Sequence, residues 1–144
     1  MTLAKLAEKP TQQKPTVKWT VAGFGRFWKN PKPEDVEAIR QAIWPDIKGY
    51  WPRGQAPLVG ADNYIKGCAE IIRAIPDFSL QVCDSAVSEN IAFVRWEVSG
   101  RFSIGPQIMT GVDRLLLRDG FVIENRIHSD HPIFEQLAKG RLLG

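Results

Sequence analysis

The sequence is poor in the side chains that carry most metal and thiol chemistry. It has two histidines and two cysteines in 144 residues. Cys68 and Cys83 are too far apart for the Cys-x-x-Cys spacing of a zinc knuckle or a redox pair. They read as free thiols in a reducing compartment. His128 and His131 fall on opposite faces of a strand, so no metal is expected. No apolar run is long enough to span a bilayer. The lysines near the start lack the apolar stretch of a signal peptide. A cytoplasmic protein with no membrane partner is therefore expected. Charge of one sign is also scarce, because 19 basic residues face 16 acidic ones. Lys5, Lys9, Lys14 and Lys18 are spread along the start, and Arg95, Arg101, Arg114 and Arg118 lie among apolar residues. A nucleic-acid reader gathers its basic residues on one face, so no nucleic-acid partner is expected.

What the chain does have is tryptophan. Trp19, Trp28, Trp44, Trp51 and Trp96 supply large apolar area for a core or an aromatic-lined pocket. With 44% hydrophobic and 24% charged residues, the composition is that of one globular domain. Residues 1–15, rich in Lys, Gln and Pro, read as a flexible N-terminal tail, and 16–144 as the domain. Val17, Val21, Phe24 and Trp28 recur at helical spacing, with Thr16 as N-cap. A second, shorter helix begins near Pro33, carries Val36, Ile39 and Ile43 inward, and stops at Pro45. An extended stretch from Asp46 to Pro52 follows. A third helix runs from Ala61-Asp62 to Pro76. Everything after Pro76 alternates like strands, with turns at Ser88-Glu89-Asn90 and Asp119-Gly120. Ile133 to Lys139 reads as a short terminal helix. Helices first and an antiparallel meander after them predict an α+β domain.

The order of these pieces resembles a known family. It comprises Phe27-Trp28, then Gly49-Tyr50-Trp51-Pro52, Ala74-Ile75-Pro76-Asp77-Phe78 and Ala92 to Glu97. Gly111-Val112-Asp113-Arg114, Asp119 to Glu124 and a final Asp130 follow. The chain is similar to the SnoaL-like branch of the nuclear transport factor 2-like superfamily from about Val17 onward. The resemblance implies a cone-shaped, strongly curved, mostly antiparallel sheet, with N-terminal helices covering an apolar pocket for a small hydrophobic molecule. It also implies a homodimer through the outer sheet face. It implies no single reaction, since polyketide cyclases, ketosteroid isomerase-like and limonene epoxide hydrolase-like enzymes share the scaffold with binding modules.

Alternation puts Phe93, Arg95 and Glu97 on one face of the strand Ile91 to Phe102, and Ala92, Val94, Trp96 and Val98 on the other. Arg95 and Glu97 read either as a polar anchor in the pocket wall or as an ion pair on an exposed face. On the last strand Val122, Glu124, Arg126, His128 and Asp130 share a face. In the family, an acid near the end of this strand often transfers the proton, and Asp130 is the matching position. His128 is its proposed partner. Arg95-Trp96-Glu97 also resembles the Arg-x-Asp of epoxide hydrolases. A direct register with that pattern, however, puts Ile127 where the second acid belongs. Phe24, Trp28, Trp44, Tyr50 and Trp51 are the candidates for the pocket mouth, and Phe93 and Arg114 for further ligand contacts. Tyr50 and Trp51 point opposite ways if extended, as do Asp113 and Arg114. Two functions follow: cofactor-free acid–base catalysis, or a non-catalytic ligand-binding or dimerisation module.

Overall fold

The computed structural model describes residues 14–53, 56–102 and 105–137. Most of the expected tail, and the end of the expected terminal helix, lie outside these residues. Helix α1, Val21–Trp28, starts four residues later than the apolar stripe suggests. Its N-cap is Thr20, whose hydroxyl accepts the Gly23 N–H at 2.9 Å. Thr16 and Val17 instead pass their amides to the Gln41 carbonyl, which keeps that stretch extended. The second helix is a 3-10 helix, Pro33–Ala42. Pro33 opens it, and the Asp35 carboxylate accepts the Lys32 N–H at 2.9 Å. It ends at Ile43, because the chain continues at once as strand β1, Ile43–Tyr50. Pro45 therefore lies inside a strand, near the register shift between Ile43 and Lys48 that spares its missing N–H a ladder bond. A short strand β2, Leu58–Val59, leads into helix α2, Ala61–Ala74.

The remaining strands are β3 (Ser79–Ser88), β4 (Ile91–Phe102), β5 (Gly105–Arg118) and β6 (Phe121–His128). Asp119 and Gly120, both at positive φ, form the β5–β6 turn, as an Asp-Gly pair should. The sheet order is β2-β1-β6-β5-β4-β3. All neighbours are antiparallel except β1 and β6, which run parallel because the one helix and four strands between them return the chain in the same direction. The helices cover one face of this sheet. That inner face is built from Ala92, Val94, Trp96 and Val98 on β4, and Met109, Leu115 and Leu117 on β5. It meets Phe24 of α1 and the stripe Tyr64, Ile65, Cys68, Ile71 and Ile72 of α2. Among the described residues no helix is long and apolar enough to cross a membrane.

Two glycines allow large rings to lie flat on the inner face. Trp96 is paired across the strands with Gly111, where a Cβ would fall 2.5 Å from its ring. Gly49 is paired with Asn125, and a Cβ there would fall 2.8 Å from the Tyr64 ring. Gly111→Ala should therefore destabilise the protein by about 1–3 kcal/mol in urea unfolding, since the indole has nowhere to retreat. Gly25→Ala, whose Cβ would meet only a Val82 methyl at 3.5 Å, should be neutral or stabilising by up to about 1 kcal/mol.

Candidate functional site

The inner face carries one ionisable side chain amid its apolar residues. Asp113 of β5 is 6% exposed and Asn125 of β6 is 1% exposed. They converge because Leu115 pairs with Asn125 and Asp113 with Ile127, so both side chains rise from adjacent strands into the same layer. Trp96 Nε1 donates to one Asp113 oxygen at 2.8 Å. Asn125 Nδ2 donates to the other at 3.2 Å. The Tyr64 hydroxyl, reaching over Gly49 from α2, donates to Asn125 Oδ1 at 2.8 Å. The chain of donors runs one way, from phenol to amide to carboxylate. Burial pushes the Asp113 carboxyl up to about 6, against the two hydrogen bonds, which lower it. Burial also raises the Tyr64 phenol and the Cys68 thiol above their ordinary values, with the Asp113 charge adding to both. A carboxyl that titrates near neutrality in a dry site can take or give a proton, which an exposed Asp does poorly.

These groups line a cavity together with Phe24, Trp28, Trp51, Phe78, Met109 and Phe134, among others. Its free volume is about 40 Å³, room for a few waters and far below the roughly 300 Å³ or more of a typical ligand pocket. A wider depression of about 970 Å³ lies between the 3-10 helix and the start of α2. It is open to solvent, and the Arg40 on its rim is already paired with Glu37 and Asp62. Among the described residues no cluster of His, Cys, Asp and Glu has the makings of a metal site.

The candidate residues divide sharply. Phe24, Trp28 and Trp51 line the cavity. The other four ligand candidates do not. Trp44 packs edge-on against Phe121, donates to the Arg118 carbonyl at 2.8 Å and carries the Arg118 guanidinium over its ring. Tyr50 points away from Trp51 and stacks under Arg126 at 3.9 Å. Phe93 is 45% exposed, and Arg114 pairs with Glu124 at 3.0 Å on the outer face. The pocket-wall reading of Arg95 and Glu97 is likewise corrected: both are exposed on the outer face, and Arg95 approaches Asp84 at 3.8 Å. The apolar set Ala92–Val94–Trp96–Val98 takes the inside, because burying the charged set would cost far more. His128 is exposed and shares the outer face with Val112, its partner in register. Val122 does not share it, since a register shift between Leu116 and Leu117 turns Val122 inward. Asp130 lies past the end of β6, exposed, with its carbonyl accepting from Arg53 at 2.7 Å. At the depth of the carboxylate, β6 presents Ile127, and the acid comes from the neighbouring strand as Asp113.

The comparisons with known proteins bear on this arrangement. The profile of the SnoaL-like domain matches residues 18–125. The chain belongs to the SnoaL-like family. No curated protein matches it. Solved structures share the fold at low identity. One is a protein from Jannaschia sp. CCS1, provisionally named a SnoaL-like polyketide cyclase. It has 21% identity and a TM-score of 0.58, over 66% of this chain and 72% of that one. Another is a Catenulispora acidiphila protein with a ketosteroid isomerase-like fold, solved with trimethylamine. It has 10% identity and a TM-score of 0.66, over 83% and 91%. A third, of cystatin-like fold, is from Xanthomonas campestris, with 18% identity and a TM-score of 0.65, over 81% and 92%. The SnoaL-like match ends at Asn125, so it covers Asp113 and both of its donors but neither His128 nor Asp130.

The raised Asp113 pKa sets a pH dependence of stability. Between the unfolded value of 3.8 and the folded value of about 6, the folded chain binds the extra proton. Stability from this group is therefore greatest in acid and falls as pH rises through that window. Asp113→Asn removes the effect. The stability of the variant relative to the parent should rise by about 2 kcal/mol from pH 4 to pH 7, read by urea unfolding at each pH. A flat difference would mean that the carboxylate is well solvated in the folded state.

Proposed function

We propose that this SnoaL-like protein is a cofactor-independent catalyst of proton transfer on a small hydrophobic molecule, with Asp113 as the proton carrier. The observation that carries this reading is the Asp113 carboxyl, held by Trp96 and Asn125 inside an aromatic-lined cavity. As a base it would take a proton from carbon or from water. As the acid so formed it would return the proton to an oxygen or carbon of the same ligand. Trp96 and Asn125 would hold the carboxylate in one orientation. The Tyr64 hydroxyl would fix the Asn125 amide so that its NH2 faces the acid. The apolar walls favour a hydrophobic substrate such as a ketone of polyketide or terpenoid type. The names of its structural relatives, with cyclase and isomerase-like folds among them, agree with that chemistry.

The test is deuterium incorporation next to the carbonyl of a panel of hydrophobic cyclic ketones in heavy water, followed by NMR. The rate should rise with pH through about 6, as the base ionises. Asp113→Asn should lower it by roughly 100-fold to 10,000-fold with the fold intact. An Asp113→Asn variant as fast as the parent would sink the idea.

The outer sheet face favours a second role as a dimerisation surface. Phe93 and Ile108 are 45% and 65% exposed there. The Arg114–Glu124–Arg126 cluster lies on the same face. A second copy of the chain would cover both apolar side chains. Phe93→Lys with Ile108→Lys should then convert a sedimenting dimer to a monomer. A parent that sediments as a monomer at micromolar concentration would end this reading.

A further inference from the structure

Residues 133–137 form a helix that lies against the cavity. Ile133 at 4% exposure and Leu137 pack on the core beside it, and Phe134 and a cap at its first turn seat it against the cavity. Phe134 is 1% exposed and packs edge-on against Trp51, with ring centroids 5.9 Å apart. The cap is His131, whose Nδ1 accepts the Ile133 N–H at 3.1 Å. An amide N–H only donates, so Nδ1 carries a lone pair and the ring proton sits on Nε2. Gln107 Oε1, 3.0 Å away, accepts it. The ring stacks on Phe102 at 4.6 Å and borders an open hollow of about 410 Å³. The two hydrogen bonds thus require a neutral imidazole in one tautomer.

We propose that His131 is a latch: its neutral ring holds helix 133–137 with Phe134 seated as the plug of the Asp113 cavity, and protonation at Nδ1 sets donor against donor and lets the plug out. The charged groups around the ring are few. Asp130 precedes it and favours the protonated form. Glu135 on the helix is engaged by Arg53 at 3.5 Å, and Arg53 also holds the Asp130 carbonyl. β4 and β5 contribute the neutral Phe102 and Gln107. Burial outweighs Asp130 and keeps the imidazole below its ordinary 6.5. The latch is therefore shut at neutral pH and released in mild acid. The protonated ring has the open hollow in which to hydrate. The proposed function supplies only the purpose of the opening; the latch itself can be tested without any substrate.

Cys68 lines the cavity and is buried, while Cys83 is exposed. In a Cys83→Ser background, maleimide therefore reaches Cys68 only when the plug is out. At one fixed pH near neutral, His131→Ala should speed that reaction about tenfold or more, because the Ile133 amide loses its acceptor. Phe134→Ala should speed it at least as much. In the chain with His131 intact, exchange protection of the Phe134, Glu135 and Gln136 amides should fall about tenfold from about pH 7 to pH 5, after correction for intrinsic rates. The amides of α2 should hold theirs. Equal loss in α2 would mean global unfolding and would overturn the latch. So would a faster Phe134→Ala beside an unchanged His131→Ala, which makes Phe134 a plug that His131 does not control. Unchanged labelling in both variants would overturn latch and plug together. None of these readouts uses turnover, so their failure leaves the role of Asp113 standing or falling on its own test.

Discussion

A carboxylate in an apolar interior has to be matched oxygen by oxygen, and Asp113 imposes that demand on the rest of the structure. One oxygen takes the Trp96 indole and the other takes the Asn125 amide. Each donor brings its own requirement. The indole has to lie flat on β5, which only a glycine at position 111 permits. The amide has to present its NH2 and not its oxygen, which the Tyr64 hydroxyl ensures from α2. Tyr64 in turn needs Gly49 beneath its ring. A single buried charge thus ties three strands and a helix into one polar chain, at positions where apolar residues would pack with less constraint. Nothing in the packing of the core asks for this. A polar chain that constrains so much of the interior costs stability, which the proposed proton-transfer role of Asp113 would account for.

Much of the fold was legible in the sequence, because turn chemistry and strand alternation are local. The Asp-Gly turn, the limits of β4 and the opposite directions of Tyr50 and Trp51 all follow from a few adjacent residues. Two things were not local. The first is which face of a strand points inward. Ala92, Val94, Trp96 and Val98 include no charge, and that alone could have placed Arg95 and Glu97 outside. The two large side chains beside the pair, Ile91 and Phe93, drew the opposite reading. The second is register. Asp113 shares the parity of Met109, Leu115 and Leu117, and it is the only charged residue on that stretch of face. That signal was available. Its donors were not, since Trp96 and Asn125 lie on other strands, and their alignment with Gly111 and Leu115 is set by the sheet. On β6 the bulge near Ile123 displaced Val122 from the face that strict alternation assigned to it.

The two faces of the sheet show how far environment outweighs residue type. The outer face holds many more charged side chains than the inner one, and in tighter ion pairs. Glu124 accepts from Arg114 at 3.0 Å and from Arg126 at 2.9 Å. Yet these groups keep part of their surface in water, on the face away from the core. Exposed pairs such as Arg95 with Asp84 contribute little for the same reason. Asp113, with no cation beside it, is the carboxyl that burial carries toward neutrality.

That shift depends on closure, and closure opposes access. The space beside Asp113 is too small for an organic ligand, so the wall has to open before one can enter. An open wall admits water, and water returns the carboxylate toward its ordinary acidity and removes its strength as a base. The two requirements are reconciled only if the ligand itself replaces the excluded volume and keeps the carboxylate dry once the wall has closed over it. A polar ligand would bring water or hydrogen bonds of its own and would weaken the base it came to use. A flat or compact hydrophobic body, with one polar atom facing Asp113, fills the aromatic walls and leaves the acid desolvated. The apolar lining is therefore more than a source of affinity. Under the proposed function it is the condition under which this carboxyl would move a proton near neutral pH, and it would limit the substrates on which the site could act.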